Sequence, residues 1–354
     1  MIDFLSIKKF FFGKNRHGLA NKPSVFIPFD QHTSVGGPAT FLKNLKTYFD
    51  RVGFQYASDI SKASVILFPI SYDLRKLKKF KKRGGRICQR LDGIYYPEKQ
   101  GDDYIRRNQK IQTIYSELAD HIVFQSEYSR AQCFDMFGPI PESAYSIITN
   151  GVNTEVFYPD VDRTFDRTDV HFCTTGNFRN ADMLVPVIQA LDSIRNDIDF
   201  VLHIVGPIRN EDCAAVMSRE YIVHHDRCSM DEVSDVLRKS DIFIYSHLNP
   251  PCPNSILEAV ASGLPVVGYM SGSMEELLPF STVLLADAGG KLYNTIEHFK
   301  PALLAEKLVY AIEHFDACRR ISLEASTAYS MDNCGLQYGE MITRELAKCM
   351  PDEG

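Results

Sequence analysis

Pro251-Cys252-Pro253-Asn254-Ser255-Ile256-Leu257-Glu258-Ala259-Val260-Ala261-Ser262-Gly263-Leu264-Pro265-Val266-Val267 reads as an extended loop, a helix over 255–262 and a strand beginning at Pro265. Prolines hold the approach extended. Asn254 or Ser255 is the expected cap, because a short polar side chain accepts from the free N–H groups of a first turn. Such a helix start turns unpaired N–H groups and the positive end of a dipole toward an anion such as a diphosphate. Glu258 lies one turn further in, where a carboxylate can accept from ribose hydroxyls. Downstream, Ser271-Gly272-Ser273-Met274-Glu275-Glu276-Leu277 repeats the arrangement. A small-residue loop there opens a helix at the carboxyl end of a strand, which is where open α/β sheets bind ligands.

Outward from this stretch, short apolar runs alternate with segments of helical period. The runs at 24–29, 65–70, 86–91, 121–125 and 145–149 read as strands, as do those at 170–174, 200–205, 221–224, 242–245, 265–268 and 282–285. Helical period marks 38–49, 104–118, 183–194, 230–240, 301–313 and 334–347, and a basic helix occupies 75–83. Alternation of this kind means βαβ units around parallel sheets. Near Asn150-Gly151 the texture changes to a polar stretch over 153–168, read as the link between two α/β halves. The boundaries expected are 1–152, joined by a last helix at about 334–350, and 153–333.

A chain of 354 residues has room for two such domains. With 45% apolar and 24% charged residues the composition is that of a globular protein rather than a disordered one. No run reaches the ~18 apolar residues that span a bilayer. The start, Met1-Ile2-Asp3-Phe4-Leu5, carries an acid where a signal peptide has a base, so a cytoplasmic protein is expected. Nine cysteines without a Cys-x-x-Cys argue against a disulfide framework and against structural zinc. His224 and His225 point opposite ways if they lie on a strand, so no metal site is expected there.

The net charge of −6 conceals a split: residues 1–150 hold 23 basic and 14 acidic residues, a net of +9, and the remainder nets −15. Arg75, Lys76, Lys78, Lys79, Lys81, Lys82 and Arg83 are the densest part, and Lys8-Lys9-Phe10-Phe11-Phe12-Gly13-Lys14 mixes bases with aromatics. A solvated helix face is one reading. The other is a surface for an anionic membrane or acceptor, at the inner face of a membrane. No nucleic-acid motif accompanies the patch.

Two further segments carry candidate chemistry. Gly36-Gly37-Pro38-Ala39-Thr40-Phe41 follows a strand and opens a helix, so its backbone can approach an anion closely. In Arg90-Leu91-Asp92-Gly93, Asp92 ends a strand at an expected cleft edge. It is the candidate catalytic carboxylate, contacting an acceptor hydroxyl or the sugar; the alternative is a turn aspartate satisfied by its own backbone.

The order of these pieces resembles the retaining glycosyltransferases of the GT-B fold known as family 4. His121-Ile122-Val123-Phe124-Gln125-Ser126-Glu127 and Asn150-Gly151-Val152-Asn153-Thr154-Glu155-Val156-Phe157-Tyr158-Pro159 are similar to the last part of that family's first domain and its interdomain segment. The stretches at 253–267 and 272–276 are similar to its donor-binding helix and second donor loop. The resemblance implies two Rossmann-like domains facing across a cleft, with a C-terminal helix crossing back to the first. It implies hexosyl transfer with retention, from a nucleotide-diphosphate sugar to a glycan or lipid-linked acceptor, without a metal or other cofactor, in cell-surface glycan synthesis. Carried over by position, it makes Gly36 and Gly37 a loop over the donor. Pro253, Asn254, Ser255, Gly272 and Glu276 become donor contacts, Glu258 the ribose acid, and Arg179 a diphosphate base.

Two positions depart from the family pattern. Pro250 stands where the family's first acid grips the sugar, and Asp182 stands about where a phosphate-binding Lys belongs. These departures motivate the alternative of a non-catalytic GT-B protein that binds sugar or nucleotide.

Overall fold

The computed structural model describes residues 24–29, 37–178, 183–208 and 217–349. They form two compact units: one of residues up to Gly151 together with those from Met331 onward, the other Val152–Ser330.

The first unit is built on five parallel strands in the order β1-β2-β3-β4-β5: Val25–Phe26, Val65–Pro69, Arg86–Leu91, His121–Phe124 and Tyr145–Ile147. Helices cover both faces, which is why β2 is apolar at every position rather than alternating. On one face Val25, Val65, Leu67 and Cys88 meet Phe41, Leu45 and Phe49 of α1 (Gly37–Arg51). On the other, Ile66, Phe68 and Ile87 meet Leu77 and Phe80 of α2 (Leu74–Lys82). Helix α3 (Asp103–Thr113) runs on through a π-turn, Ile114–Leu118, and α4 (Glu127–Phe137) follows β4. Sequence periodicity does not reveal α4, because its apolar residues form no continuous stripe, although Ser126 starts it by accepting from the Ser129 N–H.

Helix α2 shows what became of the basic cluster. Asp73 caps it, accepting from the Lys76 N–H at 2.8 Å. Two of the seven cations are structural: Lys81 donates to the Leu118 carbonyl and pairs with Asp120, and Arg83 donates to the Ile60 carbonyl. Arg75, Lys76, Lys78, Lys79 and Lys82 are exposed, with no side-chain partner among the described residues.

The second unit holds six parallel strands in the order β11-β10-β9-β6-β7-β8. They are β6 Val170–Thr175, β7 Phe200–Val205, β8 Ile222–His225, β9 Ile242–Tyr245, β10 Val266–Tyr269 and β11 Leu285–Ala286. Its helices are α5 (Val185–Ile194), α6 (Met230–Lys239), α7 (Asn254–Ala261), α8 (Pro301–Glu313) and α9 (Phe315–Ala325). Phe172, Leu202 and Ile204 pack with Val187 and Leu191 of α5 and Leu304 and Leu308 of α8. Cys173, Phe243 and Tyr245 pack with Leu237 of α6 and Ile256 and Val260 of α7. The run expected as a strand over 282–285 is mostly a 3-10 turn, Thr282–Leu284, and only Leu285–Ala286 pairs with β10.

The final helix, α10 (Met331–Ala347), returns to the first unit, where Tyr338, Met341 and Ile342 join the core against α1. Its last turn is anchored by Glu345, whose side chain is 2% exposed and pairs with Arg86 at the start of β3.

Candidate functional site

Strand order locates the place to look in the second unit. Between β6 and β9 the sheet changes the direction in which successive strands are added, and at such a switch point the loops leaving the carboxyl ends diverge to form a crevice. Those loops follow β6, where residues 176–178 and 183–184 are described, and β9, over 246–253. They meet: a Cβ on Gly176 would lie 2.9 Å from Cε1 of His247, whose ring stacks edge-on against Phe178 and tilts over Tyr245. Asn177 Oδ1, in the same loop, is buried and has no hydrogen-bond partner among the described residues. Neither His247 nor Asn177 stands out in the sequence; the one signal each offers is a polar residue directly after an apolar run.

Helix α7 leaves this crevice, but not as the sequence suggests. Pro253 is the residue before its first turn, in extended conformation (φ −75°, ψ 122°), and no side chain caps it. Asn254 and Ser255 are the first two helical residues, so the expectation that one of them caps the helix is corrected. A proline at that position supplies no side-chain acceptor, so the helix start has no side-chain cap. The Glu258 carboxyl, one turn on and half-buried, has no hydrogen-bond or ion-pair partner among the described residues, and burial pushes it up to about 7.

The loop that precedes α7 is clamped to the loops that follow β10 and β11. Asn249 has a left-handed backbone (φ 53°) and is buried. Its Nδ2 donates to the Asn294 carbonyl at 2.7 Å, its Oδ1 accepts from the Asn294 N–H at 2.7 Å, and its own N–H donates to Ser271 Oγ at 3.1 Å. Ser273 donates to the Pro250 carbonyl through both its N–H (2.9 Å) and its Oγ (3.0 Å). Gly272, at φ 65°, presses on Pro250 so closely that a Cβ there would run into the Pro250 ring and carbonyl. Gly272 is therefore required by packing against Pro250. The helix expected after it is a single turn, Met274–Leu277, and Glu276 lies exposed on it.

In the first unit, Gly37 begins α1 with nothing within 4 Å of where a Cβ would lie, so no packing contact requires glycine there. Gly36, Arg179 and Asp182 lie outside the described residues. Asp92 does not sit at an exposed edge. Its side chain is 5% exposed and pairs with the fully buried Arg90. Gln125 Nε2 donates to the same carboxylate oxygen, Oδ1, at 2.5 Å. The turn-aspartate alternative is likewise corrected: the partners are side chains, the neighbouring Arg90 and the distant Gln125, rather than Asp92's own backbone. His224 and His225 diverge, His224 toward the Gly206 carbonyl (3.0 Å) and His225 toward His203 (3.1 Å).

Comparison with known proteins shows what the chain is similar to. Residues 169–308, most of the second unit, match the sequence profile of "Glycosyl transferases group 1". Over 225 residues, 59% of this chain and 46% of the relative, the chain is 27% identical to a subunit of the human phosphatidylinositol N-acetylglucosaminyltransferase. Over 234 residues, 62% of this chain and 52% of the relative, it is 23% identical to a probable sucrose-phosphate synthase of Thermosipho melanesiensis. The chain thus spans about half the length of these curated relatives. Among solved structures, Anabaena HepE in complex with UDP and glucose superposes with a TM-score of 0.67 at 13% identity, covering 90% of this chain and 99% of that one.

Proposed function

We propose that this chain, which belongs to the group 1 glycosyl transferases and has their GT-B fold, transfers a hexosyl group from a nucleotide-diphosphate sugar with retention of configuration. The single observation that carries the reading is Glu258: a half-buried carboxyl without a partner among the described residues, one turn inside a helix with no side-chain cap at the switch point of a parallel sheet. A carboxyl held there waits for hydroxyl donors, and a ribose supplies two. The helix start, with the N–H groups of its first turn and the dipole behind them, is suited to the diphosphate. As the glycosidic bond breaks, negative charge grows on the departing phosphate, and a preorganised positive end stabilises that charge more than it stabilises the bound donor. The sugar passes through an oxocarbenium-like state, as in other reactions at an anomeric carbon.

In this reading Pro253, Asn254, Ser255, Glu258, Gly272 and Glu276 form the donor side with Gly36, Gly37 and Arg179, and no metal or cofactor takes part. Asp92 is the catalytic carboxylate. HepE's complex with UDP and glucose makes uridine diphosphate sugars the first donors to test. The acceptor is a saccharide or a lipid-linked glycan of the cell surface. The five unpartnered cations of α2 hold the protein against an anionic membrane at its cytoplasmic face; among the described residues no helix is long and apolar enough to cross one.

One observation favours a second reading, a non-catalytic binder of sugar or nucleotide. Pro250 is locked under Gly272 and offers no carboxylate to the sugar. The two readings part in one assay, incubation with a panel of nucleotide sugars and measurement of nucleotide release. Release from at least one donor, with Glu258→Gln raising KM for that donor far more than it lowers kcat, is the expected result. Tight nucleotide binding without release from any donor under any acceptor supply establishes the binder instead.

A further inference from the structure

We infer that Arg90 is a positioning residue: it holds the Asp92 carboxylate so that one oxygen is offered to a substrate hydroxyl, and the last helix of the chain holds Arg90. The inference rests on the glycosyltransferase reading for its chemistry, while the geometry beneath it is independent.

Arg90 occupies the penultimate position of β3 and its side chain is 1% exposed. A guanidinium taken wholly out of water is tolerated only where its donors are met. Here two of the three nitrogens donate to groups far apart in sequence, and the third faces an anion. Nε donates to Tyr338 Oη of α10 at 3.0 Å and Nη2 donates to Asn150 Oδ1 at 2.6 Å, while Nη1, without a hydrogen bond among the described residues, is balanced by its ion pair with Asp92 Oδ1. The Phe41 ring of α1 lies 3.5 Å from the guanidinium carbon, measured to the ring centroid. With a face covered, two nitrogens hydrogen-bonded and the third ion-paired, the planar fork has little freedom to turn.

The consequence falls on Asp92. Arg90 and Gln125 both act on Oδ1, and Gln125 is itself fixed, donating to the Leu91 carbonyl (3.1 Å) and accepting from Asn150 Nδ2 (3.2 Å). Oδ2 is buried and has no hydrogen-bond partner among the described residues. Leaving a buried acceptor unmet costs about 1–3 kcal/mol. A network that loads one oxygen twice and leaves its twin bare, at the carboxyl end of a parallel strand, is built for a hydrogen-bond donor that arrives with a ligand. A sugar hydroxyl is such a donor. Asp92 accepts from it and holds its oxygen in line. With a cation already paired to its other oxygen, the work of this carboxylate is orientation rather than proton removal.

The test compares wild type, Arg90→Lys, Tyr338→Phe, Asp92→Asn and the double variant Arg90→Lys/Asp92→Asn, with a donor that wild type turns over. Arg90→Lys keeps the charge and loses the fork. The expected result is a kcat lowered roughly 100-fold, the cost of misplacing a reacting group by about 1 Å, with donor KM within about 2-fold. Tyr338→Phe, the milder change, lowers kcat several-fold. The double variant is no slower than Asp92→Asn alone, because Arg90 acts only through Asp92. An Arg90→Lys effect equal in both backgrounds, or unchanged kcat in both Arg90→Lys and Tyr338→Phe, overturns the inference. Should wild type turn over no nucleotide sugar, the glycosyltransferase reading fails, and a crystal structure of Arg90→Lys then decides the positioning claim. A displaced Asp92 carboxylate on an unmoved β3 supports it, and an undisplaced one overturns it.

Discussion

The two units carry their candidate groups in opposite ways. In the first, Asp92 is fixed by side chains: Phe41, Arg90, Gln125, Asn150 and Tyr338 come from α1, β3, the end of β4, the end of the unit and α10. In the second, the crevice is shaped by backbone: an uncapped helix start, two left-handed residues at Asn249 and Gly272, the Pro250 carbonyl held by Ser273 and the Asn294 carbonyl held by Asn249. A backbone site tolerates changes of side chain that spare its φ angles and close contacts. A side-chain hub fails with the loss of any one partner. Each kind therefore breaks at different positions, and substitutions can tell them apart.

The largest effect is expected at Gly272. Valine there forces a left-handed β-branched residue into the Pro250 ring and carbonyl, costing roughly 3 kcal/mol or more, read as a lowered denaturant midpoint. A tolerated valine would mean that the loop is not locked on Pro250. Next is Glu258→Gln, whose effect depends on pH. Burial pushes this half-buried carboxyl up to about 7 from an ordinary 4.5, so between those values the folded protein keeps a proton that the unfolded chain has lost. Wild-type stability therefore falls as pH rises from 4.5 to 7 and levels off above. Gln has no such fall, and its advantage should grow to roughly 3 kcal/mol by pH 8, measured by denaturant unfolding across that range. A flat difference would mean that the carboxyl has a partner in solution.

Smaller again is Tyr338→Phe, which removes one hydrogen bond from the Arg90 hub and should cost about 1–2 kcal/mol of stability while leaving nucleotide affinity unchanged. A loss of nucleotide affinity would merge the two sites into one system. The smallest stability effect belongs to Lys78→Glu/Lys79→Glu on α2. Both side chains are exposed and partnerless, so unfolding should shift by less than about 0.5 kcal/mol. Sedimentation with anionic vesicles at low salt should nevertheless fall. Equal binding to neutral vesicles by wild type would remove the membrane proposal.

Legibility followed the same division. The parallel α/β architecture shows in the alternation of runs such as 65–69 and 242–245 with helical segments, because a strand buried on both faces must be apolar throughout. Helix α4 was hidden because its apolar residues form no stripe, and residues 282–284 mislead because a 3-10 turn over the core needs the same apolar residues as a strand. Asp92 is visible as a carboxylate after a strand, but its burial and its shared oxygen are not. Those depend on Tyr338, 246 positions away in the chain.

By itself, then, the sequence determined what contiguous segments can determine: where parallel strands end, where the helix after β9 begins, and that an acid sits one turn inside it. Prolines, glycines and short polar residues act on their own neighbours' dihedrals, so their meaning is local. Only the tertiary structure decided that Pro253 leaves α7 uncapped, that Gly272 is needed to admit Pro250, and that Arg90 is held by Tyr338, Asn150 and Asp92. Those outcomes depend on which distant groups meet in a closed, water-free space, where the cost of an unmet charge or donor selects the partners.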